Sequence, residues 1–284
     1  MSRQKTRVAF QGERGAFSQE AVRLLLGART EVVPCQRFED VFLRLRDKRV
    51  DAAVVPIENT LAGSVHENYD HLLHFNFDIC AEVNVRISHN LVVAPGVRFR
   101  DIRRVYSHPV ALNQCLNFFS RNPRIASEPF YDTAGSVKMI MEQRPRDAAA
   151  IGSAVAAEIY GGEILRRSLE DDRRNFTRFF LLRRPADARR HRLPGGRNRE
   201  WKITLVFSTH NLPGMLFRTL SVFALRDINL TKIESRPLRG RPWEYMFYVD
   251  LLGRLDETRV QKALGHLEEL TDFLRVLGCY PKGA

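Results

Sequence analysis

"RRPADARRHRLPGGRNR", Arg183 to Arg199, is the stretch that divides this chain. It is dense in arginine, carries proline and glycine, and shows neither a helical nor a strand-like apolar period, so it reads as a solvated basic linker. The apolar pattern differs on its two sides. That contrast places a first domain over residues 1–183, the linker over 184–199 and a second domain over 200–284.

Upstream of the linker, short strand-like and helical segments alternate. "RVAF" (7–10) precedes the helical "SQEAVRLLLG" (18–27), with Ser18 as its N-cap and Gly27 as its stop. "EVVPC", helical "FEDVFLRLRD" and "AAVVPIE" follow, then "DICAEVNVRI" and "NLVVAP". The alternation resumes with "RVYS" and helical "PVALNQCLNFF", "RIASEPF" and "AGSVKMIMEQ", "AAAIGS" and "AVAAEIYG". Near-continuous apolar strands separated by helices predict parallel α/β sheets covered by helices, with sites beyond the carboxyl ends of the strands. Downstream, "WKITLVFST", helical "GMLFRTLSVFALRD", "INLTKIESRP", "WEYMFYVDLLG", helical "DETRVQKALGHLEEL" and "FLRVLGCY" give the order βαββαβ, a ferredoxin-like α+β domain. Leu216, Leu220 and Phe223 form the apolar face of its first helix.

The chain has 284 residues and a formal charge of +12. Its length suffices for two moderate cores. The positive excess is concentrated in the linker, elsewhere the bases are interleaved with acids, and no zinc-finger or RRM signature occurs. Nucleic acid is therefore not the expected partner, although a basic surface attracts small anions. No apolar run approaches the ~20 residues that span a bilayer, and no signal-peptide pattern opens the chain. A cytoplasmic location is the expectation, with no membrane partner. Cys35, Cys80, Cys115 and Cys279 stand singly, with no histidine at zinc-ligand spacing. They read as reduced core thiols, and neither a metal nor a cofactor is expected.

Polar clusters follow the strands of the first half. "FQGERGAFS" (10–18) has Gly12 and Gly15 but lacks the third glycine of a dinucleotide fingerprint and a Walker lysine. "PIENTLAGSV" (56–65) presents Glu58, Asn59, Thr60 and Ser64, either as ligand contacts or as an Asx-type turn. In "YSHPVALNQC" (106–115), Ser107 or His108 caps the helix, and Gln114 lies about two turns on. "DTAGSVK" (132–138) reads as an N-cap, and "RNFTRFFLL" (174–182) puts Thr177 and Arg178 at the mouth of an aromatic run that includes Phe179. No hydrolase triad or paired-carboxylate motif is present. Neutral hydroxyls and amides, Arg178 and helix N-termini suit an anionic substrate whose reaction is intrinsically easy.

In this order, "ENT…GS", "SHPVALNQC", "DTAGSVK", "NFTRFFLL", "NLPGMLF" and "ESRP" resemble the prephenate dehydratase family over nearly the whole chain, and the second half resembles an ACT domain. The resemblance implies a two-lobed catalytic domain like type II periplasmic-binding proteins, with prephenate in the cleft, losing CO2 and its ring hydroxyl to give phenylpyruvate for phenylalanine synthesis. It makes Thr177, Asn59, Ser107 and Gln114 catalytic, and Arg178, Glu58, Thr60, Ser64 and Phe179 substrate contacts, with Arg178 holding a carboxylate bidentately. Neighbours on a regular strand face opposite sides, so Thr177 and Arg178 reach one ligand only at an irregular strand start. The resemblance further implies inhibition by L-phenylalanine at an interface between ACT domains of a homodimer or homotetramer. Asn211, Gly214, Met215 and Leu216, with Glu234, Ser235, Arg236 and Pro237, are the effector residues; Met215 stands where that family often has a small residue. Arogenate dehydratase keeps the chemistry with a different substrate, and a non-catalytic amino-acid sensor is the rival of another class.

Overall fold

The computed structural model describes residues 5–188, 199–238 and 244–283. Most of the arginine-rich linker (189–198) and Trp243, where the third strand of the second domain was expected to begin, lie outside the described residues. By their contacts these residues separate into two units: the chain up to His71 with Val83–Phe180, and Leu72–Glu82 with Leu181 onward.

The larger unit has two lobes. The chain builds β1 (Arg7–Gln11), α1 (Phe17–Leu26), β2 (Glu31–Cys35), α2 (Phe38–Arg46), β3 (Ala52–Asn59), the two-residue β4 (Gly63–Ser64) and α3 (His66–His74), and then enters β5 (Asp78–Arg86). It crosses to a second sheet through β6 (Asn90–Val93), β7 (Arg104–Ser107), α4 (Pro109–Asn113), α5 (Leu116–Ser120), β8 (Ala126–Pro129), α6 (Thr133–Gln143), β9 (Ala148–Gly152), α7 (Ala154–Tyr160) and β10 (Glu163–Arg166). β11 (Phe176–Arg183) returns to the first sheet; its end, from Leu181, and the following α8 (Pro185–Ala188) group with the second unit. The sheet orders are β2-β1-β3-β11-β5, with β4 paired to β3, and β10-β6-β9-β7-β8.

β1 pairs in parallel with β2 and β3, and β7 with β8 and β9, as the alternation predicts. The second sheet is nonetheless mixed, because β6 runs antiparallel to both β9 and β10. A chain that leaves one lobe and returns to it inserts strands against the local direction, which no strand pattern announces. Phe10, Phe42 and Phe180 are fully buried, each contributing about 2–3 kcal/mol of transfer free energy.

Local chemistry sets the helix ends. Asp132 accepts from Gly135 N at 2.7 Å to start α6, and Ser153 accepts from Ala156 N at 2.9 Å to start α7, each cap stabilising by about 1 kcal/mol. Ser18 does not cap α1: the cap position is Ala16, two residues earlier, and Gln19 Oε1 accepts from Gly15 N at 2.8 Å. Gly15 has φ +89°, and a Cβ there would lie 2.6 Å from the Ala156 Cα. Only glycine allows this turn of the first lobe to rest against α7 of the second, where Ser153 Oγ donates to Gly15 O at 2.6 Å.

The second unit contains β12 (Trp201–Ser208), α9 (Met215–Ala224), β13 (Leu230–Pro237), β14 (Tyr245–Leu252), α10 (Thr258–Leu270) and β15 (Phe273–Pro281). Its sheet order, β13-β14-β12-β15 and antiparallel throughout, is the ferredoxin-like arrangement. Ile203, Leu205, Phe207, Val249 and Leu251 form its core with Val222, Phe223, Val260, Ala263 and Leu267. Leu216 falls outside the expected apolar face of α9: it is 40% exposed, and Thr219, Val222 and Phe223 point inward instead. In the same unit Lys202 Nζ meets Glu82 Oε1 at 2.7 Å, both side chains being buried, and Glu82 also accepts from Gly283 N.

Candidate active site

In the larger unit the ends of β3 and β11 and the turn into α1 meet the α4 and α6 starts around a cavity of about 500 Å³, within the range of small-molecule sites. Asn59, Ser64, Gln114 and Thr177 line it, together with His89 and Asp132. A neighbouring cavity of about 640 Å³ shares Gln11, Tyr131 and Asp132 with it, so the two form parts of one cleft. Across this cleft Glu13 of the first lobe accepts from Tyr131 OH at 3.1 Å and pairs with Lys138 of α6 at 3.3 Å.

Asn59 is the hub. Its Oδ1 accepts from Leu61 N at 3.0 Å and Ala62 N at 2.8 Å, forming the Asx turn. Its Nδ2 faces β11, lying 2.8 Å from Asn175 Oδ1, 3.0 Å from Phe176 O and 3.0 Å from Thr177 Oγ1. The turn reading of Asn59 is thus met by its oxygen, while its nitrogen is held by β11 at the cavity wall. Thr60 grips the same segment, donating its hydroxyl to Arg174 O at 2.8 Å and accepting from Phe176 N at 2.9 Å. This is a structural role at the start of β11, where the sequence suggested a substrate contact.

Thr177 and Arg178 separate as strand geometry requires. Thr177 faces the cavity. Arg178 is buried, with Nε 2.8 Å from Glu58 Oε1 and its guanidinium 5.0 Å from the Phe180 ring centroid. Neither Arg178 nor Glu58 is among the residues lining the cavity, and Phe179 is in the core. The expected carboxylate clamp is therefore an internal ion pair in this structure. Ser107 is also withdrawn: it is fully buried, and its hydroxyl donates to Ile151 O at 2.7 Å.

Gln114 reaches the cavity because the expected single helix is two. α4 ends at Gln114, Cys115 adopts φ −126° and ψ 32°, and α5 starts afresh. Asp171 enforces the break: its carboxylate accepts from Leu116 N at 2.9 Å and Asn117 N at 3.0 Å, while its own N–H donates to Gln114 O at 2.8 Å. His108 caps α4, its Nδ1 accepting from Val110 N.

Two residues that the sequence reading passed over complete the site. Asn175, fully buried, donates from Nδ2 to Gln114 Oε1 at 2.9 Å. His89 Nε2 lies 2.9 Å from the same oxygen. Burial lowers the His89 pKa, partly offset by Gln114 and the Glu170 carboxylate. At Asp132, burial raises the carboxyl pKa, opposed by the α6 backbone N–H groups. The lining thus offers neutral amides and a hydroxyl, with a carboxyl held above its ordinary range at one edge.

A family model for prephenate dehydratase matches residues 8–187. The chain belongs to the prephenate dehydratase family. An ACT domain model matches residues 203–269 of this dehydratase. Arogenate dehydratase/prephenate dehydratase 2, chloroplastic, of Arabidopsis thaliana is 46% identical over 286 residues, which cover 98% of this chain and 73% of that protein. Among solved structures, prephenate dehydratase of Arthrobacter aurescens in complex with L-Phe superposes with a TM-score of 0.87 at 32% identity, covering 97% of this chain and 90% of the other. GqqA, described as a novel type of quorum quenching acylase, matches with the same TM-score and identity over 97% of this chain and 98% of its own. The two-lobed α/β domain and the ACT domain that the sequence led us to expect are therefore both present. Among the described residues no helix is long and apolar enough to cross a membrane.

Proposed function

We propose that the cleft binds prephenate and converts it to phenylpyruvate, CO2 and water. One observation carries this reading: Thr177 Oγ1, in the cavity lining, already accepts a hydrogen bond from Asn59, so its own hydrogen is left for a ligand oxygen. In the reaction the bond to the ring carboxylate breaks, its electron pair enters the ring, and the C–O bond opposite releases hydroxide as the ring becomes aromatic. Thr177 donates to the departing oxygen. An alcohol is far too weak an acid to transfer its proton outright at neutral pH, but a fixed donor strengthens as charge develops on the leaving atom. Gln114 and Ser64 contact the substrate from the other walls. Arg178, through Glu58, stiffens β11 beside Thr177, and Ser107 supports the floor of the second lobe from below.

Residues 1–183 form the catalytic domain, 184–199 the linker and 200–284 the regulatory domain in this proposal. L-Phenylalanine binds the ACT domain and inhibits. The Arthrobacter relative was solved with L-Phe, and here Gly214, at φ +80°, opens α9 without a side-chain cap, leaving first-turn N–H groups suited to a carboxylate. Asn211, Met215 and Leu216 flank that turn, and Glu234, Ser235, Arg236 and Pro237 lie on the edge strand β13. Exposed Leu212, Leu216, Phe217 and Ile233 give the ACT domain an apolar surface suited to a second copy in a homodimer or homotetramer. The four free cysteines support a reducing, cytoplasmic setting.

The test is turnover of prephenate and of arogenate in parallel, with and without L-phenylalanine. Phenylpyruvate formed from prephenate and suppressed by phenylalanine supports both halves. Turnover of arogenate alone corrects the substrate, and inactivity on both refutes the catalytic reading.

A further inference from the structure

The amide network has a direction, and that direction can be derived from two groups that cannot turn round. Side-chain amide orientations are ordinarily interchangeable at the level of heavy-atom positions. The backbone N–H groups of Leu61 and Ala62 are not, and both reach the same atom of Asn59. That atom must be the oxygen, so the Asn59 nitrogen faces β11. Asn175 must then show Asn59 its oxygen, which leaves its nitrogen toward Gln114. Gln114 must answer with its oxygen, and that oxygen lies 2.9 Å from His89 Nε2. His89 can only donate there, so its proton sits on Nε2 and Nδ1 carries a lone pair.

The surroundings of Nδ1 agree independently. It is buried and has no hydrogen-bond partner among the described residues. A hydrogen on Nδ1 would be a buried donor without an acceptor, which is costly. The backbone of His89 is clamped separately, its N–H donating to Glu170 Oε2 at 2.9 Å and its carbonyl accepting from Leu169 N at 2.8 Å. Phe17 meets the imidazole edge-on at 5.9 Å between ring centroids.

We propose that His89 is a positioning residue of this dehydratase, which together with Asn175 saturates the Gln114 oxygen and thereby fixes Gln114 as a hydrogen-bond donor toward the substrate. With two donors on Oε1, the Gln114 amide can offer a ligand only its N–H groups. Remove the imidazole, and the Gln114 oxygen keeps only its bond from Asn175, so the amide is held less firmly in its donor orientation. The inference rests on the catalytic reading of the cleft given above.

Two variants and one spectrum test it. His89→Phe keeps the ring against Phe17 and the backbone clamp but loses the donor, while His89→Gln restores an N–H. The first should lower kcat roughly tenfold with a smaller change in KM, the scale of one lost hydrogen bond. The second should recover kcat to within about threefold of the unaltered enzyme. Nitrogen-15 NMR of the unaltered protein should show the His89 proton on Nε2. Full kcat in His89→Phe, no recovery in His89→Gln, or a proton on Nδ1 would each overturn the proposal. An unaltered enzyme inactive on both prephenate and arogenate would instead refute the catalytic reading, and the NMR tautomer would still decide the direction of the chain.

Discussion

Replacing Thr177 with valine exchanges a hydroxyl for a methyl of nearly the same shape, so it separates chemistry from packing. Asn59 Nδ2 has two hydrogens and three acceptors within 3.0 Å. Losing the Thr177 oxygen leaves Asn175 Oδ1 and Phe176 O to satisfy both, so no buried donor is orphaned, and stability should change by less than about 1 kcal/mol. The transition state loses one donor aimed at the leaving hydroxide. Donors so placed are worth about 3 kcal/mol, a loss of roughly a hundredfold in kcat. KM should barely move, because the hydrogen bond strengthens only as the oxygen gains charge. Steady-state kinetics on prephenate, with thermal melts alongside and Thr177→Ser as the hydroxyl-restoring control, measures all of this. A fall in kcat of less than about tenfold would refute the role assigned to Thr177, as would a fall matched by a large loss of stability.

Three further outcomes are expected. Lys202→Met leaves the Glu82 carboxylate buried without its cation and should destabilise the protein by about 3 kcal/mol or more, read from denaturant midpoints; Lys202→Met with Glu82→Gln should recover part of that loss. Burial raises the thiol pKa of Cys35 and Cys115 and pushes that of Cys80 up to about 12, so native labelling by iodoacetamide at mildly alkaline pH should be at least about tenfold slower than in the unfolded chain. His89 has a folded pKa depressed below 6.5 by burial, so the unfolded chain takes up the proton first. Its contribution to stability is then complete above pH 6.5 and lost as the pH falls toward the folded value, a loss that melts of His89→Gln should show to a smaller extent.

The order of strands and helices, the ferredoxin-like second domain and the residues Asn59, Ser64, Gln114 and Thr177 were legible because each sits in a local pattern: a period, a turn or a short polar cluster after a strand. His89 and Asn175 left no such trace. Their partners are Gln114 and Asn59, distant in sequence, and a neutral polar residue at a strand end looks the same whether it meets water or a buried amide. The break at Cys115 was hidden for a similar reason, since the carboxylate that caps α5 comes from Asp171, more than fifty residues downstream. Arg178 and Glu58 each read as a substrate contact on its own. Their mutual pairing depends on β3 and β11 lying side by side in one sheet, although they are far apart in the chain.

The chain of Asn175, Asn59 and Gln114 is made of carboxamides, which hold their hydrogens firmly near neutrality. Such a row can polarise Thr177 but cannot conduct: it is a line of fixed dipoles, where a row of waters or carboxylates would be a wire. Hydroxide released in the cleft therefore draws no proton along this row. Dehydration with decarboxylation takes up one proton overall, so turnover in weak buffer should consume one proton from the medium for each phenylpyruvate formed before hydration of the released CO2 returns one, and Thr177, donating only a hydrogen bond, should end every cycle with the hydrogen it began with.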